Sequence, residues 1–267
     1  MPEQDKDPFY VGYLPLPAAI KRFLVPWMVG NFVLAIGIAA VLASQDREPG
    51  DGVWDTSSVV AIEGELVVDP YPLLKTSDKT FILVEQGKIG VMPRIKQKGI
   101  PEDVAQGVKL IVVATGYVIE RDGRSVFELD GSIDEPLKLL RSEISTGSQQ
   151  ARSRIRLARH HSDLGTHTLR GEIVDPKCYL GVMQPGDGKT HKVCATLCIK
   201  GGIPPMLLVR DKTGKTAAYL LTDADGNAFP ESHYEYIADP IEITGQVLRD
   251  GDLLILRADL ESINRLE

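Results

Sequence analysis

All three cysteines of this chain, and one of its five histidines, fall within a stretch of 21 residues. These residues are Cys178, His191, Cys194 and Cys198, in the spacing C-x12-H-x2-C-x3-C. Thiolates and imidazoles are soft to borderline donors, and four of them complete a tetrahedral zinc site. The spacing therefore predicts one bound metal ion, with Zn²⁺ favoured and iron or copper as alternatives.

Two other uses of the cysteines stay open on sequence alone. A disulfide between Cys178 and either Cys194 or Cys198 would leave the third thiol unpaired. Buried cysteines can also pack as small apolar side chains without any chemistry. Four protein ligands leave a zinc ion no place for water, so a structural role is favoured over a redox or catalytic one.

Common catalytic signatures are missing from the sequence. It contains no G-x-S-x-G, no P-loop, no H-E-x-x-H and no G-x-G-x-x-G motif. No catalytic residue is therefore predicted. This favours a binding protein over an enzyme and leaves the question of catalysis open.

A short helix is expected to carry most of the ligand set. Offsets of three and four residues place His191, Cys194 and Cys198 on one face of a helical turn. Cys178 would complete the site from the end of a strand. The glycine- and proline-rich run 201–205 is expected to end the helix, because glycine permits positive φ and proline does not continue a helix.

The remainder of the chain reads as two copies of one β unit. The motif G-E-L-V at 64–67 matches G-E-I-V at 171–174. The dipeptide T-G at 115–116 matches T-G at 244–245, and each is followed by R-D-G a few residues later. The order of the motifs is the same in both copies, which predicts a duplication.

The two copies differ by the segment that carries the cysteines. The matched glycines are 52 positions apart in the first copy and 74 in the second, an excess close to the length of that segment. The second copy is therefore predicted to be the first with a Cys/His insert at 178–205. The apolar runs F-I-L-V at 81–84 and M-L-L-V at 206–209 are expected to be equivalent strands.

The strand pattern predicts a small closed barrel in each copy. Short strands carry an internal glycine where a barrel wall must bend, and each R-D-G marks a tight hairpin. This architecture resembles the OB-fold in both copies, without a motif that is diagnostic of one family. OB-folds often bind oligonucleotides, but a net charge of -7 and a pI near 5.4 disfavour a nucleic-acid partner.

A single membrane anchor is predicted at residues 23–44. This run has no charged residue and is long enough to cross a hydrocarbon core of ~30 Å. Pro26 would lie in the first turn of the helix, where its missing N–H costs little. A buried core helix and a cleaved signal peptide are the alternatives, although the run exceeds the usual apolar region of a signal peptide. Lys21 and Arg22 precede the span, so the positive-inside rule puts the N-terminus in the cytoplasm.

Length and composition fit two domains of ordinary size behind this anchor. A chain of 267 residues, with 43% hydrophobic and 25% charged residues, is a folded protein too short for three such domains. The sequence thus predicts a mainly β chain with two tandem OB-like β-barrel domains preceded by a single transmembrane α-helix. The predicted boundaries are a tail at 1–22, the helix at 23–44, a linker at 45–58, barrel domain 1 at 59–140, a polar and basic linker at 141–166, and barrel domain 2 at 167–267.

These features predict a single-pass protein of the cell inner membrane whose barrels lie in the periplasm. We expect a metal-binding accessory or assembly subunit of a larger membrane complex, with a redox complex favoured. Its expected partners are the bilayer and other membrane protein subunits. The first alternative is a redox-active or catalytic metal-thiolate domain that transfers electrons or metal. The second is a free-standing ligand-binding receptor.

Overall fold

The computed structural model of the protein describes residues 17–45, 52–100, 108–144 and 162–266. Most of the predicted N-terminal tail, and the arginine-rich part of the predicted linker at 141–166, lie outside the described residues. The chain divides into two compact units, residues 1–49 and 50–267.

The described part of the first unit is the helix α1, Ala18–Gln45. Its segment Ile20–Ser44 is long and apolar enough to cross a membrane. The helix begins before the predicted span, so Pro26 lies in its interior and the expectation of a first-turn proline is wrong. An interior proline leaves a carbonyl without its backbone donor, which membrane helices tolerate when neighbouring groups supply a partner.

The second unit begins with a barrel of short strands. Its elements are β1 (Val53–Trp54), β2 (Val60–Val67), β3 (Leu73–Lys75), β4 (Thr80–Val84), α2 (Met92–Gln97), β5 (Val108–Arg121), β6 (Arg124–Leu129) and β7 (Leu137–Ile144). Strands β2, β3, β4, β6 and β5 close on themselves in that order, and β1 and β7 pair with the long strand β5. The helix α2 lies between β4 and β5 and contributes the buried Ile95 to the barrel core.

A second barrel follows with the same arrangement. Its strands are β8 (Ser162–Val174), β9 (Met206–Arg210), β10 (Thr216–Asp223), β11 (Ile241–Asp250) and β12 (Leu253–Arg265). They close in the order β8, β9, β10, β12, β11. Strand β8 begins within the residues that the sequence assigned to the linker.

The two barrels share the topology of the OB-fold. In each, the third and fifth strands are parallel (β4 with β6, β10 with β12) and the other neighbours are antiparallel. The R-D-G sequences form the expected hairpins, and the first turns through Asp122 and Gly123, both with positive φ. The predicted fold class is confirmed: the chain is mainly β, with two closed five-stranded barrels in tandem behind an apolar helix.

The matched glycines allow close approach between neighbouring strands. A Cβ atom on Gly116 would overlap the backbone oxygen of Glu128, and one on Gly245 would overlap that of Arg257. A side chain at either position would push β5 from β6, or β11 from β12. This requirement explains why glycine stands at the same place in both copies.

One of the sequence matches is wrong. F-I-L-V belongs to β4, the third strand of its barrel, whereas M-L-L-V belongs to β9, the second strand of the other. The counterpart of β4 is β10. The two runs look alike because both strands are buried on both faces: Phe81 and Leu83 lie in the core of the first barrel, while Ile82 and Val84 pack outside it.

A separate apolar core lies between the two barrels. The hydroxyl of Tyr71 donates to the carbonyl of Leu221 at 2.8 Å and accepts from the N–H of Phe229 at 2.7 Å. The barrels therefore pack face to face, and the outer surfaces of their second and third strands lie in this contact. The strand residues in this shared core are Val67, Leu73, Ile82, Val84, Ile119 and Val126 from the first barrel, and Val174, Met206, Leu208, Ala218, Leu220 and Leu253 from the second.

Candidate metal centre

The cysteines lie in the long connection between β8 and β9, residues 175–205, which we call the β8–β9 connection. The equivalent connection in the first barrel, between β2 and β3, contains only residues 68–72. The second barrel therefore carries a much longer connection at this place than the first barrel does. The connection enters at the first turn of the second barrel, on the side that faces the first barrel.

The β8–β9 connection folds into three short helical segments. They are a π-helical turn at Cys178–Val182, a 3-10 turn at Lys189–His191 and the helix α3 at Lys192–Lys200. The helix ends where the sequence predicts. The N–H of Ile203 donates a hydrogen bond to the carbonyl of Cys198, and Gly202 adopts a φ of 98°. This is the Schellman arrangement, in which a left-handed glycine closes a helix.

Three thiols lie close together in the β8–β9 connection, one on the π-helical turn and two on α3. The sulfur atoms of Cys178, Cys194 and Cys198 all lie within 4.8 Å of one another, and all three cysteines are free. The Cys178 and Cys194 sulfurs are 3.9 Å apart. On a tetrahedral ion with metal–sulfur bonds of about 2.3 Å, two thiolates lie about 3.8 Å apart. The triad therefore has the dimensions of a site for one metal ion.

The predicted four-ligand set is not brought together as one group. His191 lies with Asp175 and Cys178, whose ligand atoms are also within 4.8 Å of one another, and not with all three thiols. Its Nε2 is 3.1 Å from the carboxylate of Asp175, and all of these side chains are buried. His191 lies at the N-cap of α3, directly before its first residue Lys192.

Sequence reasoning missed Asp175. The second carboxylate oxygen of Asp175 accepts a hydrogen bond from the backbone N–H of Cys178 at 2.9 Å, which fixes the start of the π-helical turn. Its only signal in the sequence was the D-P dipeptide, which also occurs in the first copy and therefore reads as a turn. A buried carboxylate beside a histidine is a frequent second-layer support of metal sites.

Hydrogen bonding within the triad favours a negative sulfur at Cys198. A hydrogen bond from the thiol of Cys178 lowers the pKa of Cys198, while the same bond and burial raise the pKa of Cys178. The ammonium of Lys88 lies 3.2 Å from the sulfur of Cys194, and this hydrogen bond raises the pKa of Lys88. Metal ions bind thiolates rather than thiols, so the lowered pKa of Cys198 favours metal binding.

Lys88 belongs to the first barrel, so the site lies where the β8–β9 connection meets that barrel. A second lysine, Lys177, forms a buried ion pair with Glu128 and donates to the carbonyls of Glu85 and Gly87, each at 2.8 Å. All three of its partners are residues of the first barrel. The cysteine-bearing connection is therefore held on the first barrel by charge as well as by apolar packing.

Two further contacts bring the backbones of the barrel and the connection together. Arg121 donates to the carbonyl of Tyr179 at 2.8 Å, and its guanidinium lies 4.5 Å from the centre of that ring. The N–H of Gly90 donates to the carbonyl of Gly201 at 2.9 Å. A Cβ on Gly201 would overlap the backbone oxygen of Lys88, so the two backbone segments are in direct contact here.

A cysteine nucleophile is the main chemical alternative to a metal site. Cys178, His191 and Asp175 are the residue types of a thiol triad, in which a histidine held by a carboxylate activates a cysteine. However, all three are buried, and the pKa of Cys178 is raised. A substrate has no approach to such a thiol, so the geometry favours metal binding over nucleophilic catalysis.

The chain matches no protein-family model, no curated protein and no solved structure.

Proposed function

We propose that this chain is a membrane-anchored, extracytoplasmic accessory or assembly subunit of a larger membrane complex, with a redox complex favoured. One bound metal ion, with Zn²⁺ favoured, would stabilise its β8–β9 connection as a docking element. The observation that carries the proposal is the position of the thiol triad. It lies where an inserted segment is fixed against the neighbouring barrel, which is where a structural ion adds most rigidity.

The packing of the barrels supports a scaffold rather than a nucleic-acid binder. OB-folds bind oligonucleotides and sugars on the face of their second and third strands, between the first and last hairpin loops. In this chain those faces carry Leu73, Ile82, Met206 and Leu208, which are buried between the barrels. The face on which OB-folds usually bind ligands is therefore buried in the contact between the two domains.

An exposed apolar surface on the β8–β9 connection supports docking to a protein partner. On α3, Val193 and Leu197 are 74% and 51% exposed, and they flank Cys194 on the outer side of the helix. Ile89 is 52% exposed, in the loop whose Gly90 bonds the end of α3. We name Val193, Leu197 and Ile89 the α3 patch, and we propose that a membrane subunit covers it.

The helix α1 supports the proposed location. We propose that it spans the inner membrane once, with Lys21 and Arg22 at the cytoplasmic side and residues 50–267 in the periplasm. A reporter enzyme that is active only in the periplasm, fused after residue 267, should be active in cells. An inactive reporter, together with an active one fused at the N-terminus, would reverse the orientation.

The metal is tested first, on full-length protein purified from native membranes. The proposal expects one zinc ion per chain and a colourless protein, and the double variant Cys178→Ala with Cys198→Ala should lose the ion. An iron or copper chromophore would support the alternative, a redox-active metal-thiolate domain. The absence of bound metal from protein with three free thiols would overturn the proposal.

The partner is tested with the α3 patch and a matched control. Val193→Glu with Leu197→Glu should abolish co-purification of the same membrane subunits that the wild type brings down. The control Leu139→Glu with Leu140→Glu alters two similarly exposed leucines on β7 and should leave co-purification unchanged. A wild-type chain that purifies alone from native membranes would favour the free-standing receptor.

A further inference from the structure

We infer that the metal centre has three thiolate ligands, from Cys178, Cys194 and Cys198, and an open fourth position beside Lys88 that takes a small exchangeable anion. This inference rests on the proposed function, since it concerns the same metal ion. It replaces the closed site with four protein ligands that the sequence suggests. It also gives the ion a face that solvent, and a partner, can reach.

His191 lies with Asp175 and Cys178 and does not lie within 4.8 Å of all three sulfurs, so it does not occupy the fourth position. Nε2 of His191 is 3.1 Å from the carboxylate, which is itself fixed by the N–H of Cys178. Recruiting the histidine to an ion bound by all three thiols would require it to move and would strain this buried pair. The histidine therefore lies beside Asp175 and Cys178 and leaves the fourth position of the metal ion open.

Burial places the open position at Cys194. Cys178 and Cys198 are buried in the core that the two barrels share, whereas Cys194 is only partly buried. Protein atoms thus surround two of the three sulfurs. We therefore place the open fourth position beside the Cys194 sulfur, next to the exposed Val193 and Leu197 of α3.

The charge at this side suits an anion. Three thiolates on a divalent ion leave one net negative charge, and the ammonium of Lys88, 3.2 Å from the Cys194 sulfur, balances it. Adding a monoanion then leaves the site no more negative than a tetrathiolate zinc site, which proteins accept. Lys88 can also donate a hydrogen bond to the incoming anion, because an ammonium has three donors.

Cobalt substitution of the full-length protein in detergent tests the inference. Co²⁺ reports thiolate number through its charge-transfer absorption and coordination number through its visible bands. Adding azide or thiocyanate should change the visible bands in a saturable way. Lys88→Met should weaken anion binding about two- to fivefold, the effect of one exposed charge.

His191 variants separate the two ligand sets. His191→Gln, which can still hydrogen-bond Asp175, should keep the wild-type cobalt spectrum and its response to azide, and His191→Ala should do the same if it folds. The inference would be overturned if added anions left the cobalt spectrum of the wild type unchanged and His191→Gln altered that spectrum. Such a result would show a centre closed by four protein ligands. That outcome leaves the proposed function standing, because a structural ion would still be bound. A protein that binds neither zinc nor cobalt would overturn both.

Discussion

Lys177 and Glu128 form an ion pair that joins the cysteine-bearing connection to the first barrel, with only 5% and 4% of their side chains exposed. The lysine follows the last residue of β8 by three positions, and the glutamate lies in β6. The pair therefore fixes the point at which the β8–β9 connection leaves its own barrel. Its contribution to folding depends on both partners, because a buried charge is stable only when it is paired.

Removing the lysine should lower the free energy of unfolding more than neutralising the glutamate does. Lys177→Met leaves Glu128 buried without a counter-charge and should cost about 3–5 kcal/mol of unfolding free energy. Glu128→Gln should cost less, because Lys177 keeps its hydrogen bonds to the carbonyls of Glu85 and Gly87. Thermal unfolding of the full chain, followed by circular dichroism, measures the difference. Equal losses in the two variants would contradict this order.

Gly201 is predicted to tolerate no side chain, for steric reasons alone. Its φ is -72°, which any residue adopts, but a Cβ would overlap the oxygen of Lys88. Gly201→Ala should therefore lower the melting temperature and weaken metal binding, because it displaces Lys88 and α3.

Gly214 provides the matched control for that substitution. It has a φ of 85° and open space around it, so Gly214→Ala carries only the cost of a left-handed backbone, about 1–2 kcal/mol. Metal binding should be unchanged in this control. If Gly214→Ala destabilised the protein more than Gly201→Ala, close backbone contact would not be what selects glycine at 201.

Tyr71 should make stability fall at alkaline pH. Burial raises the pKa of its phenol, although the hydrogen bond from Phe229 opposes this. Because the folded pKa lies above the unfolded one, the stability from the neutral phenol is complete below about pH 10 and is lost as the pH rises toward the folded pKa. The expected slope is about 1.4 kcal/mol per pH unit from this residue.

Tyr71→Phe tests that slope directly. At neutral pH it should cost about 1–3 kcal/mol, because the buried Leu221 carbonyl and Phe229 N–H lose their partner. Between pH 10 and 11 its stability should fall less steeply than that of the wild type. Some slope will remain, because burial also raises the pKa of Tyr117 and Tyr234. Parallel pH profiles for variant and wild type would rule out this role for Tyr71.

Metal removal should destabilise the second unit, by an amount that grows with the logarithm of the metal affinity. A ligand that binds only the folded state stabilises it by about 2.7 kcal/mol when its free concentration is 100 times its Kd. A chelator should therefore lower the melting temperature of the wild type, and added Zn²⁺ should restore it. The variant Cys178→Ala with Cys198→Ala should not respond to either reagent. An unchanged wild-type melting temperature after the ion has been removed would contradict a structural role.

The sequence by itself determined the two barrels and the place of the cysteine-bearing connection in the second. Gly116 and Gly245, and the R-D-G turns that follow them, are local requirements of strand contact and hairpin geometry, so they recur in the chain at readable spacing. The apolar character of α1 is likewise a property of a continuous run. The clustering of Cys178, Cys194 and Cys198 was also visible, because a π-helical turn and a short helix separate them by few residues.

Only the tertiary structure decided what surrounds those cysteines. The contact of Lys88 with Cys194 and the pair of Lys177 with Glu128 join residues from different barrels, and no local pattern encodes them. Strand β9 resembled β4 in sequence because burial on both faces erases the alternation that distinguishes one strand from another. His191 has the right spacing for a ligand, but the folded connection places it with Asp175 and Cys178 and not with all three sulfurs, and no local pattern encodes that placement.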